Sequence, residues 1–278
     1  MKNLILSIII TILFLDILHA RKSPFEFSLS WEPWNPGLNS KIAIADTSFE
    51  QKSFSLNDVG IDSKWLTQCV SVSFGISGIH YFNYTNLPFS YSGEKVLNKQ
   101  IYFKELSFNP NDSVLSAIDL SVKQFSYTGY FIKKKHFKIG MGISAQIANL
   151  NASMESRITG YRQNYERQLI APVPYLNLGI NTKYVQFEGK IGTISTLWLS
   201  KLSRYEDYFD KSDTVKEILE KKGKIFHSEV IIQTRPLSYM ALGLGYRNYN
   251  AVWQLDDSHG DIRFEGIFMR TSFYAPFK

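Results

Sequence analysis

Ten short segments of the chain alternate apolar and polar residues at a period of two, and the stretches joining them are alternately short and long. Successive side chains of a strand point to opposite sides, so each such segment has one greasy and one wet face. The first sets Phe25, Phe27, Leu29 and Trp31 against Glu26, Ser28, Ser30 and Glu32. The fifth sets Phe137, Ile139, Met141, Ile143, Ala145 and Ile147 against Lys138, Gly140, Gly142, Ser144, Gln146 and Ala148. Short connections fall near residues 76, 134, 182 and 236, and longer ones near 50, 100, 160 and 210. An even strand count puts both chain ends on the short-turn side. The pattern predicts an all-β fold: a transmembrane antiparallel up-and-down barrel of about ten strands, tight turns on the periplasmic side and long loops outside.

Composition is compatible with that reading because a barrel averages each lipid-facing residue with a polar neighbour. Mean hydropathy is only −0.15, far below that of a helical membrane protein, and no internal stretch reaches the ~20 apolar residues of a spanning helix. Sixteen Tyr and five Trp suit interfacial girdles. Residues 1–20 read as a secretory signal, with Lys2 before the apolar run Leu4–Leu15 and Leu18-His19-Ala20 before the cut. Residues 21–278 then form one domain, expected in the cell outer membrane. The single Cys69 excludes an internal disulfide and any CxxC motif. The net charge of +6 is spread along the chain, with no basic stripe interleaved with aromatics, so nucleic acid is not an expected partner. The run Lys133-Lys134-Lys135 reads as a solvated turn.

The fourth segment carries a change of phase. Ile118, Leu120 and Val122 alternate with Asp119, Ser121 and Lys123, and after Gln124 the apolar positions move to Phe125 and Tyr127. One inserted residue flips every later side chain, so a β-bulge is expected near Lys123-Gln124. Tyr91–Asp112, Leu150–Pro172 and Leu202–Gly223 read as outer loops, the last with a helical turn or two over Val215–Lys222.

Three places give the chain a likeness to known proteins. Phe54-Ser55-Leu56-Asn57-Asp58-Val59-Gly60-Ile61-Asp62 precedes the second strand. Tyr84-Thr85-Asn86-Leu87-Pro88-Phe89-Ser90 tops the third. Ile118-Asp119-Leu120-Ser121-Val122 opens the fourth. With them the chain resembles a family of Gram-negative outer-membrane β-barrel proteins, most of them uncharacterised. The resemblance implies fold and compartment and brings no catalytic residues. It also implies recognition by the barrel assembly machinery, which commonly reads a terminal aromatic; here Phe277 is followed by Lys278.

The inward faces are expected to hold Glu26, Glu32, Asp119, Lys123, Lys138, Glu188, Lys190, His227, Glu229, Arg235 and Arg247. A ten-stranded barrel is narrow, so these charges either pair and fill the lumen or line a small pore. Asp257 and His259 in the last outer loop are the only catalytic candidates, since an acid two residues away can orient a histidine as general base. Omptin-type barrel proteases resemble this in having an Asp-x-His pair, but they also need an Asp-x-Asp pair that this sequence lacks. His227 and Glu229 could face a metal together, but two ligands from one strand are too few. No cofactor and no metal is expected. Arg157, Arg162 and Arg167 are candidates for lipopolysaccharide phosphates, and the expected partners are outer-membrane lipid, lipopolysaccharide and the assembly machinery. The function read from this is a structural, surface-interaction or narrow-transport role; the alternative is a protease or lipid A-modifying enzyme acting at the loops.

Overall fold

The computed structural model describes residues 25–45, 53–61, 66–195, 222–254 and 258–276. The leader at 1–20, Asp257, the Phe277-Lys278 end and all but the last residue of the helical turns expected over 215–222 lie outside the described residues; Lys222 itself is strand. In chain order the elements are β1 (Phe25–Trp34), β2 (Gly37–Ala45), β3 (Phe54–Ser55), a 3-10 turn (Leu56–Val59), β4 (Thr67–Ile76), β5 (His80–Val96), β6 (Ile101–Lys104) and β7 (Leu106–Phe108). They continue as β8 (Ser113–Lys133), β9 (Phe137–Ser156), β10 (Arg162–Asn181), β11 (Val185–Ser195), β12 (Lys222–Leu237), β13 (Met240–Gln254) and β14 (Ser258–Pro276).

Ten of these strands make a closed antiparallel wall, in the order β1, β4, β5, β8 through β14, with β1 pairing back to β14 (Leu29 opposite Phe273). Closure pairs the backbone of the two terminal strands, which hydrocarbon could not satisfy. The wall is tall. β8 has 21 residues and β9 and β10 have 20 each. A tilted strand crosses a bilayer in about 9–11 residues, so these strands continue well past it. Much of the chain expected as outer loop is therefore strand: between β9 and β10 only residues 157–161 turn.

Along β8 the alternation never changes phase. Tyr84 opposes Phe125, Thr85 opposes Gln124 and Asn86 opposes Lys123 in unbroken register. The β9 side is equally continuous there, with Gln124 opposite Gln146 and Lys123 opposite Ile147. The bulge expected near Lys123-Gln124 is not there; the irregularity between β8 and β9 falls between Tyr130 and Ile132. What changes is which face is apolar. Phe125, Tyr127 and Phe131 point outward and are exposed, while Ile118, Leu120 and Val122 point inward and are buried with Gln124 and Thr128. The same crossover recurs around the ring. Below it, Val70, Met141, Ile143, Leu176, Leu244 and Met269 form an outward apolar band. Above it the outward positions are polar, as at Gln68, Asp119 and Lys123. Asp119 and Lys123, expected in the lumen, therefore stand outside. An outward apolar band suits lipid and a polar outward face suits water, so a strand that passes from one to the other exchanges its greasy side without a shift of register.

The outer half of the lumen is packed like a soluble core. Trp34, Phe89, Ile118, Leu120, Met154, Phe264 and their neighbours fill it. Two segments close it from above. The first, β3 and the 3-10 turn, inserts Leu56, Val59 and Ile61. Its turn ends at Gly60 with φ +81, and the Gly60 carbonyl lies so close to Gly93 of β5 that a Cβ at 93 would collide with it. The second is the hairpin of β6 and β7, which leaves the wall after β5 and reaches β2, pairing Phe103 with Ile44 in parallel. Since β2 itself pairs with β14, the hairpin ties the β5–β8 side of the mouth to the β14 side. Ser55 N–H donates to Asp58 Oδ2 at 2.9 Å, and Lys99 Nζ lies 2.8 Å from the same oxygen. Partial burial opposes ionisation of Asp58, but the Lys99 ammonium and the Ser55 donors outweigh it and hold the carboxyl below the usual aspartate range.

Two outcomes follow. Leu244→Arg, on the apolar band, is expected to destabilise the vesicle-inserted barrel by about 2–4 kcal/mol, and Gln68→Arg, above the band, by about 0–1 kcal/mol, as read by urea titration. Because the folded Asp58 carboxyl titrates below the unfolded value of about 3.9, its contribution is complete above that value and fades as pH falls through the folded one. Hydrogen exchange of residues 54–61, corrected for intrinsic rate, is expected to accelerate below about pH 4 in the native chain and to lose that acid dependence in Asp58→Asn.

Candidate functional site

Beneath the apolar plug the lumen is polar, a chamber of about 210 Å³ running from Glu26 up to Glu32 and Arg247. Alternation on four different strands brings its roof together: Glu32 from β1, Glu229 from β12, Arg247 from β13 and Arg270 from β14. Arg247 Nη2 donates to Glu32 Oε2 at 2.6 Å, and its Nε donates to Glu229 Oε2 at 2.7 Å. Arg270 Nε donates to Glu32 Oε1 at 2.8 Å, and its Nη2 donates to Glu229 Oε1 at 2.7 Å. Each guanidinium thus forks across both carboxylates, and the four charges close a neutral ring. The side chains of Glu32 and Arg247 are only 1% and 3% exposed. Charges removed this far from water are tolerable only when all of them are paired with good geometry.

The surroundings hold the ring in place. The Arg247 guanidinium lies over the Phe268 ring at 4.5 Å and the Trp34 ring at 5.2 Å. Phe268 has its place because Gly245 is its cross-strand neighbour; a Cβ at 245 would collide with the ring. Ser71 Oγ donates to Glu32 Oε1 at 3.3 Å. Lys190 sits opposite Glu229 in register and 4.1 Å over the Tyr175 ring. A second ion pair, Lys138 to Glu188 at 2.5 Å, spans the chamber lower down, and Tyr81 Oη donates to Glu26 at 3.0 Å near its mouth.

Of the residues expected inside, Glu32, Glu229, Arg247, Lys190 and His227 meet at the roof, and Lys138 and Glu188 pair below it. Arg270 was not anticipated. Its inward neighbours Phe264 and Phe268 are apolar, so β14 carries no clean polar face to betray it. His227 Nε2 is 3.9 Å from Glu229 Oε2, but both Glu229 oxygens already accept from arginine, and no group of three metal-ligating side chains exists among the described residues. His259 lies on β14 opposite Ala43 and Gln254. It shares the parity of the exposed Asp261 and Arg263 on β14 and is half-buried. Its proposed partner Asp257 is outside the described residues.

No family model and no curated protein matches the sequence. Solved structures do. The outer membrane protease OmpT from Escherichia coli aligns with a TM-score of 0.58 over 93% of this chain and 99% of that one, at 6% identity. This chain has the outer-membrane β-barrel fold. Lower on the scale, the transport unit of the autotransporter AIDA-I from Escherichia coli gives a TM-score of 0.41 at 7% identity, covering 94% and 92% of the two chains. Ail, the attachment invasion locus protein of Yersinia pestis, gives 0.36 at 8%, covering 88% and 98%. At such identities the likeness is one of architecture, and residue roles rest on the geometry alone.

In an outer-membrane barrel so arranged, the ring is a structural keystone whose parts depend on one another. Arg247→Leu leaves Glu32 and Glu229 to share Arg270, with one buried negative charge uncompensated, and is expected to cost about 3–5 kcal/mol in urea unfolding followed by Trp fluorescence. The double variant Glu229→Gln/Arg247→Gln, which leaves Glu32 and Arg270 balanced, is expected to recover at least half of that loss.

Proposed function

We propose that this protein resides in the outer membrane of a Gram-negative cell as a sealed barrel, and that its role is structural or surface-interactive rather than solute transport. One observation carries the reading: two barriers lie in series along the lumen. The Glu32–Arg247–Glu229–Arg270 ring crosses the polar half, and an apolar core capped by the β6–β7 hairpin fills the outer half. A hydrated ion would have to break the first and dewet past the second. The outer extension then serves as a rigid platform, raising polar strand faces and loops above the lipid. A barrel with no conducting path is free to spend its outer rim on contacts.

Planar-bilayer recording on the purified chain tests this, with insertion verified by heat-modifiable gel mobility of the same preparation. The expected result is no stepwise conductance from the folded barrel. Reproducible single-channel steps from the native chain would defeat the proposal and favour narrow transport.

A further inference from the structure

The lumen is sealed outward but open at the short-turn end, where a cavity of about 650 Å³ faces the periplasmic side. Three of the short turns converge on it. The β8–β9 turn brings Lys133, Lys134 and Lys135; the β10–β11 turn brings Lys183; the end of β12 brings Arg235. Lys138 also borders the cavity but is neutralised by Glu188, and against the other five cations the mouth presents, among the described residues, one carboxylate, Glu26.

Three of the cations are held, and among the described residues not by acids. Lys133 Nζ donates to the Ser77 carbonyl at 3.2 Å. The Arg235 guanidinium lies 4.1 Å over the Tyr274 ring, and Lys183 Nζ lies 4.9 Å over the Tyr184 ring. Like charges gathered in a concavity with low-dielectric walls repel one another and focus a positive field. A solvated lysine tip would point away from its neighbours; here tips from separate turns border one hollow. Four of the five are ammoniums, point charges without the planar fork that selects a carboxylate bidentately. Their number around one cavity matches an anion that carries several charges.

We propose that the periplasmic mouth is a binding site for a multivalent phosphate-bearing anion, with Lys133–Lys135, Lys183 and Arg235 as its cationic rim. Phosphate groups carry enough charge in little volume to offset such a rim, and the chamber above admits no path onward, so the ligand docks and leaves by the same mouth. The phosphate can belong to a soluble molecule or to the headgroup of an anionic lipid at the inner rim.

The test uses the full chain in an uncharged detergent, with inorganic tripolyphosphate as the probe in isothermal titration. Saturable binding is expected, weakening steeply with added salt. The triple variant Lys134→Gln/Lys183→Gln/Arg235→Gln is expected to bind at least tenfold more weakly. The equally discharged outer-wall variant Lys41→Gln/Lys123→Gln/Lys224→Gln is expected to bind as the native chain does. All six positions are exposed, and heat-modifiable mobility confirms that each variant folds. Absence of saturable binding overturns the proposal, as does a mouth variant that binds normally or an outer-wall variant that loses as much. Repeating the titration in nanodiscs identifies the source: suppression by phosphatidylglycerol but not phosphatidylcholine assigns the site to a lipid headgroup, and persistence in both assigns it to a soluble phosphate.

Discussion

A strand cannot change the phase of its side chains without a bulge, yet the medium around this barrel changes halfway up. That conflict organises the molecule. Where lipid surrounds the wall, the outward residues are apolar and the inward ones are free to be polar. Where water surrounds it, the outward residues are polar and the inward ones must find apolar company or a hydrogen bond. β8 shows both regimes on one uninterrupted ladder: Phe125 and Tyr127 face out below, Leu120 and Val122 face in above. Once the boundary is fixed, the apolar plug above it and the charged ring below it follow from the same alternation.

The two fillings differ in what holds them. The plug is a close-packed cluster to which two inserted segments contribute, so its stability is spread over many side chains and tolerates volume-conserving exchange at any one. The ring is concentrated in four. Its charges are neutral as a set and costly singly, because desolvation of each ion is offset by the two opposite charges that flank it. Phe268 joins the halves physically: it belongs to the apolar cluster and also lies against the Arg247 guanidinium. Disturbance of the ring is therefore felt by the lower layer of the plug.

Much of this architecture was legible in the residue order. Strand positions, the short turns at 77–79, 134–136, 182–184 and 238–239, and most of the inward charges follow from alternation alone. The parity change after Gln124 was visible too, but its cause was not. A bulge and a change of surrounding medium leave the same trace in a one-dimensional pattern, and only the cross-strand register separates them. That confusion placed Asp119 and Lys123 in the lumen. It also made strand residues beyond the lipid, such as Leu150–Ser156, look like loop, since their greasy side is spent on the interior rather than on lipid. Arg270 was hidden for a related reason: it sits between Phe268 and Ser272 on an inward face that crosses the boundary. The convergence of Lys183, Arg235 and the Lys133–Lys135 run is a property of ring closure, which brings together turns dozens of residues apart.

Filling the membrane half with ions rather than more aliphatic residues has a rationale in how such a chain reaches its membrane. A strand apolar on both faces, repeated ten times, would approach the hydropathy that halts a segment as a spanning helix, and before closure it would expose two sticky surfaces. Alternating Glu, Lys and Arg with lipid-facing residues keeps each segment dilute in hydrophobicity. The cost is deferred to the closed state, where each charge must find its partner. The ring meets that demand across β1, β12, β13 and β14, strands contributed by the two ends of the chain. Glu32 is left without either arginine until β1 meets β14, so pairing of the ring and closure of the barrel are the same event.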